Sequence, residues 1–312
     1  MRSAVLAFCA LLISGCATVT PHYVIRPTPI PDESAAAHEI EQSISAYQAR
    51  EFEQQQARLI GPAERGAGLA IDDVVQRISR VTERPSLPYR ALVYQSKDPN
   101  AASLADGRIY ISSGMLQYLA ARGSRADELA FILGHELAHT VAQHLVKRYE
   151  QLQQQQLMLA VVGAGATMAT RGSANGQQVG ELAQDVASLI GNVIASGYSQ
   201  DQELEADQLG IRYCMRAGYD PLIGLAMLED FQRFDMPGAF LQTHPPTARR
   251  VEDLRRYLLE TGALRSPATA SPVPQESAAE HRQRLRDAQR FYPVGSVSWH
   301  NLQRQLDALD RR

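Results

Sequence analysis

The chain has no excess of positive charge and no long apolar run. Its 31 lysines and arginines are outnumbered by 34 aspartates and glutamates, which gives a net charge of -3. Because nucleic-acid-binding proteins carry a basic surface, we expect no nucleic-acid partner. An apolar run near the start, Ala4 to Ile13, is too short to cross a bilayer. With 312 residues, 45% of them hydrophobic, the chain can still bury one sizeable core with appendages.

Cysteine is scarce, and the places of the 3 cysteines limit the covalent chemistry. Arg2 and the apolar run that follows it are typical of a secretory signal peptide. Residues 13–16, Ile-Ser-Gly-Cys, resemble a bacterial lipobox, in which Cys16 becomes the lipidated first residue after cleavage. The alternative is an ordinary signal peptide with an incidental cysteine. Since Cys9 leaves with the signal and Cys16 is acylated, only Cys214 remains, and we expect no intramolecular disulfide.

The residue after the lipidation site indicates a destination. Position 17 is Ala rather than Asp, which by the sorting rule for bacterial lipoproteins indicates the outer membrane. We therefore expect a chain anchored in outer-membrane lipid by the acyl chains on Cys16 and facing the periplasm. Several acyl chains give stable anchoring where a single one would be marginal.

The most informative motif is His-Glu-Leu-Ala-His at residues 135–139. Apolar residues spaced by threes and fours over 129–145 predict one buried stripe of a helix around it. Residues four apart lie one turn above each other, so His135 and His139 can direct two imidazoles at one ion. This is the H-E-x-x-H arrangement of zinc peptidases, in which Glu136 takes a proton from water at the metal. The alternative is a helix with two histidines that merely meet solvent.

A zinc site of this kind needs a third protein ligand, and an acidic segment downstream offers candidates. Ser199 followed by Gln202 is a capping-box pattern that predicts the start of a helix. Glu203 and Asp207 are four residues apart and share one face of that helix. Gly210, on the adjacent stripe, would let another helix approach closely. The alternative for the two carboxylates is a solvated acidic face.

Together these residues resemble the zinc metallopeptidases of the HtpX and CAAX-prenyl-protease type, within the gluzincin group. Their signature is H-E-x-x-H followed by E-x-x-x-D. The resemblance implies that one Zn²⁺ per chain is held by His135, His139 and Glu203, with Glu136 as the catalytic base. It also implies that Asp207 accepts a hydrogen bond from a ligating histidine. The implied fold is mainly α, a gluzincin-like metallopeptidase domain with a small β-hairpin or sheet beside the zinc helix.

A later segment, residues 243–250, resembles the His-Pro segment that lies close to the metal in this family. A zinc peptidase needs a donor for the developing oxyanion, and His244 is the first candidate and Arg249 the second. Alternatively, His244 occupies the open metal position and holds the enzyme at rest, or it is only a turn histidine before two prolines. His144 lies about 140° around the helix from His139, so we expect a structural role for it.

Substrate is expected to bind as an extended strand. Two apolar runs, 91–94 and 108–112, precede the zinc helix and predict short strands, and Asp106-Gly107 marks a turn before the second run. A free edge of this small sheet could pair backbone to backbone with a polypeptide. Backbone pairing depends little on the side chains of the substrate, and it therefore suits an enzyme that acts on unfolded segments of many sequences.

The remaining sequence divides into segments of different composition. Prolines after Cys16 indicate an extended tether leading away from the bilayer. A Gly/Ser/Asn turn between two short apolar runs indicates a helical insertion, which either packs over the site or touches the membrane surface. The predicted layout is a signal peptide at 1–15, a lipidated tether at 16–37, a solvated helix at 38–60, a zinc metallopeptidase domain at 61–263 with its insertion at 157–198, a linker at 264–277 and a helical tail at 278–312.

We therefore expect a zinc-dependent endopeptidase that cleaves misfolded or misassembled cell-envelope proteins, with the outer-membrane assembly machinery as a candidate partner. One rival hypothesis is a periplasmic chaperone or assembly factor for outer-membrane proteins whose zinc site is latent. Another is a structural lipoprotein that binds metal incidentally. An intact Glu136 argues against both rivals, because a pure binding protein gains nothing from a general base.

Overall fold

A computed structural model describes most of the chain: residues 25–54, 58–61, 70–122, 126–170, 186–234, 244, 247–264, 278–289, 299, 303–304, 306–307 and 309. The signal peptide, Cys16 and most of the linker lie outside these residues. The helices are α1 Ala35–Gln54, α2 Ile71–Ser79, α3 Ser113–Ala121, α4 Ala126–Val141, α5 His144–Thr170, α6 Val186–Ala195, α7 Gln200–Arg216, α8 Pro221–Phe234, α9 Ala248–Glu260 and α10 Ala278–Gln289. The strands are β1 Leu59–Ile60, β2 Arg90–Tyr94, β3 Ala101–Ser103 and β4 Arg108–Ser112. The predicted class, mainly helical with a small sheet, is confirmed.

The sheet has four strands in the order β1-β2-β4-β3. The two predicted strands, β2 and β4, are parallel neighbours in its centre rather than the arms of a hairpin. The hairpin is instead formed by β3 and β4 around the Asp106-Gly107 turn, where Gly107 has a φ of 93° that favours glycine. Both edge strands, β1 and β3, pair with a strand on one side only among the described residues, and β3 is the one that contacts Glu136, through Ser103.

The motif helix α4 lies at the centre of the core. The predicted stripe is buried, and so is the rest of the helix, since every residue from Glu128 to Val141 is buried. The reason is that α2, α7, α8 and the sheet surround α4 on all sides. The helix also ends at Val141, before the predicted stripe does. Gln143 takes a φ of 53°, which breaks the helix, and Leu145 belongs to α5.

Helix α7 begins as its sequence predicts, with a complete capping box between Ser199 and Gln202. It then crosses α4 almost backbone to backbone. A Cβ on Gly210 would lie 2.8 Å from the His135 amide nitrogen, and one on Gly134 would lie 2.9 Å from the Gly210 carbonyl oxygen. The two glycines therefore allow the motif helix and the acidic helix to meet at His135.

The predicted solvated helix is solvated on one face only. In α1, Glu41, Ile44 and Ser45 are at most 3% exposed. Ile44 packs with apolar side chains of α6, which cover this face. The guanidinium of Arg84, itself buried, donates to Glu41 Oε1 at 2.6 Å. The prediction of a mostly solvated helix failed because α6 and Arg84, which cover this face, come from distant parts of the chain.

The proline-containing segment before α1 lies against the domain in its described part. The Arg26 amide N–H donates to Gln208 Oε1 at 2.8 Å, and Arg212 Nη2 donates to the Arg26 carbonyl at 2.8 Å. The Asp32 amide N–H donates to Gln143 Oε1 at 2.7 Å. Residues 26–32 are thus fixed across α7 and the α4–α5 junction.

The insertion and the tail are described in part. Helix α6 packs on α1 and α5, and residues 171–185 lie outside the described part of the chain. In the tail, Leu285 joins the main core, and Trp299 packs against it. None of the helices in the described ranges combines the length and the apolar character needed to cross a membrane.

Candidate metal centre

The crossing of α4 and α7 brings together the three side chains that we predict as metal ligands: His135, His139 and Glu203. His135 Nε2 and His139 Nε2 lie 3.1 Å apart. Glu203 Oε1 lies 3.4 Å from His139 Nε2, and Glu203 Oε2 lies 3.6 Å from His135 Nε2. A fourth group joins them, because His244 Nδ1 is 3.0 Å from Glu203 Oε1 and 3.2 Å from His135 Nε2. All four residues are buried, and their ligand atoms lie within 4.8 Å of one another.

These separations suit one divalent metal ion. Ligands placed tetrahedrally at about 2.0–2.1 Å from an ion lie roughly 3.3 Å from each other. The atoms of His135, His139 and Glu203 are spaced at 3.1–3.6 Å. Two buried carboxylates, Glu203 and Asp207, contact a single buried guanidinium, that of Arg250, and the buried carboxyl group of Glu136 lies beside the same cluster. A divalent cation would balance the remaining negative charge, so the residues present fit a metal ion.

Asp207 and Arg250 support the His135 side of the cluster. Asp207 Oδ1 lies 3.0 Å from His135 Nδ1, and both Asp207 oxygens accept from Arg250 at 2.7 Å. Burial alone would raise the pKa of Asp207, but the charge and hydrogen bonds of Arg250 outweigh it and lower the pKa to about 2. Arg250 also lies 2.8 Å from Glu203 Oε2. Burial would likewise raise the pKa of Glu203, yet His244 and Arg250 hold it below its usual value.

His139 is supported from the other side. Its Nδ1 lies 2.8 Å from His144 Nδ1, and His144 Nε2 lies 3.4 Å from a Glu205 oxygen. The Tyr198 ring stacks on the His139 ring at 3.6 Å. Burial, followed by the charges of the neighbouring His135 and His144, lowers the pKa of His139 well below its usual value. The His139 ring is therefore neutral, which is the form that binds a metal.

Glu136 lies beside the cluster and points its two oxygens in different directions. Oε2 accepts the Ser103 amide N–H at 2.8 Å, and Oε1 lies 3.4 Å from His244 Nε2. Burial would lower the pKa of His244, but Glu203 and Glu136 raise it above its usual value in the metal-free protein. His244 thus bridges the metal cluster and Glu136, and it is more than a turn histidine.

Arg249 does not reach the cluster, contrary to its place as second candidate for an oxyanion donor. Its guanidinium donates to Gln200 at 2.9 Å and lies 3.5 Å from Asp201, at the exposed start of α7. The next residue, Arg250, points inward, because successive residues turn about 100° around a helix. The sequence carried this signal, since Arg250 shares the helical stripe of Val251, Leu254 and Leu258, all of which are buried.

Two contributors were missed from the sequence, Arg250 and Tyr198. Arg250 could have been found from the stripe just described. Tyr198 precedes the N-cap of α7, and no local pattern places its ring on His139. The role of His144 as a hydrogen-bonding residue was foreseen, but its partner was not. Cys16 lies outside the described residues.

Comparison with known proteins agrees with this geometry. A model of peptidase family M48 matches residues 68–258. Metalloprotease LoiP of Escherichia coli K12 is 29% identical over 182 residues, which cover 56% of this chain and 65% of LoiP. The beta-barrel assembly-enhancing protease of Yersinia pestis is 30% identical over 173 residues, or 54% of this chain and 34% of that protein. The mitochondrial metalloendopeptidase OMA1 of Saccharomyces cerevisiae is 23% identical over 297 residues, or 85% of this chain and 78% of OMA1.

The chain spans about a third of the length of the Yersinia protein, and 42% of the OMA1 of Danio rerio, which is 28% identical over 210 residues. The shared part contains both metal-binding segments, since residues 68–258 include α4, α7 and His244. A family model that matches residues 68–258, more than half of the chain, shows that the chain belongs to peptidase family M48.

Proposed function

We propose that the chain is a zinc-dependent endopeptidase. The observation that carries the proposal is the position of Glu136, whose carboxylate lies beside the cluster of His135, His139 and Glu203. A protein that only binds metal has no need of a base at that point. Membership of a peptidase family supports the same reaction.

Zinc is the metal that the donors suit best. Two imidazoles and one carboxylate are typical of catalytic zinc sites, which keep one position open, whereas Mg²⁺ and Ca²⁺ prefer oxygen ligands. We assign the three ligand positions to His135, His139 and Glu203. When bound, zinc supplies Lewis acidity that activates water and polarises the carbonyl of the scissile bond.

The protein's own groups then hold and move the proton. The Ser103 amide fixes one oxygen of Glu136, which leaves the other directed toward the cluster. We assign to Glu136 the removal of a proton from the attacking water and its delivery to the leaving amine nitrogen. Asp207 keeps the proton of His135 on Nδ1, so that Nε2 faces the metal position.

His244 fits two roles, each supported by its contacts. With Nδ1 beside Glu203 and Nε2 beside Glu136, it can donate to a developing oxyanion, or it can serve as a displaceable fourth ligand at rest. The variant His244→Ala separates the two. Loss of an oxyanion donor lowers kcat by about 10²- to 10³-fold, whereas loss of a resting ligand raises activity and leaves metal binding by the other three residues in place.

We further propose that the substrates are misfolded or misassembled cell-envelope proteins, and that the chain is anchored in the outer membrane by acyl chains on Cys16, facing the periplasm. The lipobox-like residues 13–16 support the anchor. The name of the Yersinia relative, a beta-barrel assembly-enhancing protease, supports outer-membrane assembly machinery as a partner. Palmitate labelling and membrane fractionation of wild type and Cys16→Ser test the anchor. Equal labelling of both chains would rule it out.

A periplasmic chaperone or assembly factor with a latent zinc site is the second candidate. Two observations favour it: His244 lies where it can close the metal position, and the outer edge of β3 is free of other strands in the described part. A free edge can hold an unfolded client by its backbone.

Hydrolysis of casein by the full-length chain in detergent decides between the candidates. We expect hydrolysis that stops with a chelator, returns with zinc and is absent in Glu136→Gln. Metal analysis must show about one zinc per chain in both proteins. Glu39→Gln, the same change at an exposed position of α1, is the matched control and should keep wild-type activity. If wild type and Glu136→Gln both hold zinc and are equally inert, the chaperone hypothesis is supported.

A further inference from the structure

A cavity of about 470 Å³ opens beside the candidate metal centre. At one end it is lined by Ser103, Tyr198 and His244, which contact the centre directly. The other end lies between the C-terminal half of α1 and the strands β2 and β3, where Phe52 and Tyr94 form its walls. The cavity is therefore continuous with the site of the proposed reaction and extends away from it along β3.

The far end of the cavity is rich in hydrogen-bond acceptors. Glu51 and Asp98 line it with carboxylates, and Gln48 and Asn100 line it with amides. No lysine or arginine is among the described residues that line the cavity. Two carboxylates attract a cationic donor, so the cavity suits a ligand that carries several N–H groups and a positive charge.

Aromatic rings give the same end rigid walls. Phe52 stacks on Tyr110 with ring centroids 4.2 Å apart and meets Tyr94 edge-on at 5.5 Å. The Tyr94 hydroxyl accepts a hydrogen bond from Asn100 Nδ2 at 3.0 Å, which fixes both side chains. Flat rings of this kind suit the methylene stem of a long basic side chain, and their faces attract its charge.

The distance from the reaction site can be read along β3. Ser103 contacts Glu136, and Asn100 lies three residues earlier, which is about 10 Å in an extended strand. A polypeptide paired with the outer edge of β3 advances by the same amount per residue. A side chain within about three residues of the scissile bond therefore reaches the acceptors.

Helix α1 supplies Gln48, Glu51 and Phe52, and it lies before residues 68–258, where the family model matches. This end of the cavity is thus built partly by a segment that the family match does not cover. The buried ion pair between Arg84 and Glu41 holds α1 in place against the domain.

We propose that the cavity is a specificity subsite for a basic side chain, arginine or lysine, of an extended polypeptide substrate, close to the bond that is cleaved. The inference rests on the proposed peptidase function and adds a substrate preference to it. It is carried by the cavity, its aromatic walls and the carboxylates of Glu51 and Asp98.

The test uses peptides based on a casein site that the full-length chain cleaves, mapped by mass spectrometry. Each of the three residues on either side of the scissile bond is replaced in turn by arginine, norleucine or glutamate. At one of these positions we expect arginine to raise kcat/KM about tenfold over norleucine. The double variant Glu51→Gln, Asp98→Asn should bring that ratio close to one, and Glu51→Lys should favour glutamate. The control Glu39→Gln should keep the wild-type ratio.

Binding provides a readout that does not depend on turnover. Fluorescence anisotropy of the same peptides with Glu136→Gln should show the same preference, and adding Glu51→Gln and Asp98→Asn should remove it. Chelator-sensitive hydrolysis with no preference for arginine or lysine at any position would overturn the subsite and leave the peptidase function standing. If no chelator-sensitive hydrolysis occurs, the peptidase function fails. The same replacements are then made in an extended casein peptide chosen without a mapped site, and its binding preference alone decides on the subsite.

Discussion

Replacing Gly210 with alanine measures how closely α7 must lie on α4. A Cβ on Gly210 would be 2.8 Å from the His135 amide nitrogen and 2.9 Å from His135 Cα. These are backbone atoms of a buried helix, so no side chain can rotate aside to make room. Because carbon atoms in contact need about 3.5 Å, the helices must separate by roughly 0.6 Å.

Moving α7 away from α4 would also move Glu203 and Asp207 away from His135 and His139. The contacts of His135 with Asp207 at 3.0 Å and of His139 with Glu203 at 3.4 Å both cross this helix pair. Overpacking costs about 1–3 kcal/mol, of which the better helix propensity of alanine offsets about 0.5–1 kcal/mol. A shift of about 1 Å at a reacting group costs up to about 100-fold in rate, so we expect metal affinity and kcat/KM to fall at least about tenfold.

Three measurements check the expectation: urea unfolding of the metal-free protein, zinc competition against a chromophoric chelator, and casein hydrolysis. Gly191→Ala in α6 is the matched control, since the atom nearest its new Cβ is the hydroxyl of Tyr47 at 3.0 Å, the end of a side chain that can move. If Gly210→Ala binds zinc and cleaves casein as wild type does, close approach of the helices does not set the site, and the argument is wrong.

Four further outcomes follow from contacts described above. His144→Leu removes the partner of a candidate ligand ring and should weaken zinc affinity about 10- to 100-fold in the same competition assay; unchanged affinity would contradict this role. Arg84→Met leaves Glu41 buried without its charge partner and should cost about 3–5 kcal/mol in urea unfolding, most of which Arg84→Met with Glu41→Leu should restore; an equal loss in both would contradict it. The depressed pKa of Asp207, about 2 against 3.8, stabilises the metal-free protein above pH 4 by about 2 kcal/mol, which is lost as the pH falls to 2. The free energy of unfolding, measured between pH 4 and pH 2, should fall less steeply with pH in Asp207→Asn than in wild type. An identical slope in the two proteins would contradict the depressed pKa of Asp207. Burial raises the pKa of the Cys214 thiol, so iodoacetamide should label its peptide in mass spectrometry only after unfolding, and labelling of the native chain would contradict this.

The part of the site that the sequence predicts is the part whose geometry is local. The spacing of His135 and His139 on one helix, and of Glu203 and Asp207 on another, follows from the helical period alone. The start of α7 follows from Ser199 and its capping box. Gly210 also gave a usable signal, because a small residue beside the acidic face indicates a close helix crossing.

Features that depend on distant segments were not predictable in the same way. His244 lies 109 residues after His135, and no local pattern fixes its contact with the cluster. The parallel pairing of β2 with β4 depends on the crossover that places β3 outside β4. The buried face of α1 carries the polar residues Glu41 and Ser45, which resemble a solvated helix until Arg84 is known to meet Glu41.

The attachment of residues 26–32 gives the molecule a mechanical property. The Arg26 backbone is bonded to Gln208 and Arg212 on α7, the helix that carries Glu203, and Asp32 is bonded to Gln143 directly after α4. A pulling force on the chain before Arg26 would therefore act on α7 and on the end of α4 before it acted on α1. A pull strong enough to release these few hydrogen bonds would loosen the segment, while the helix crossing at Gly210, deep in the core, would hold.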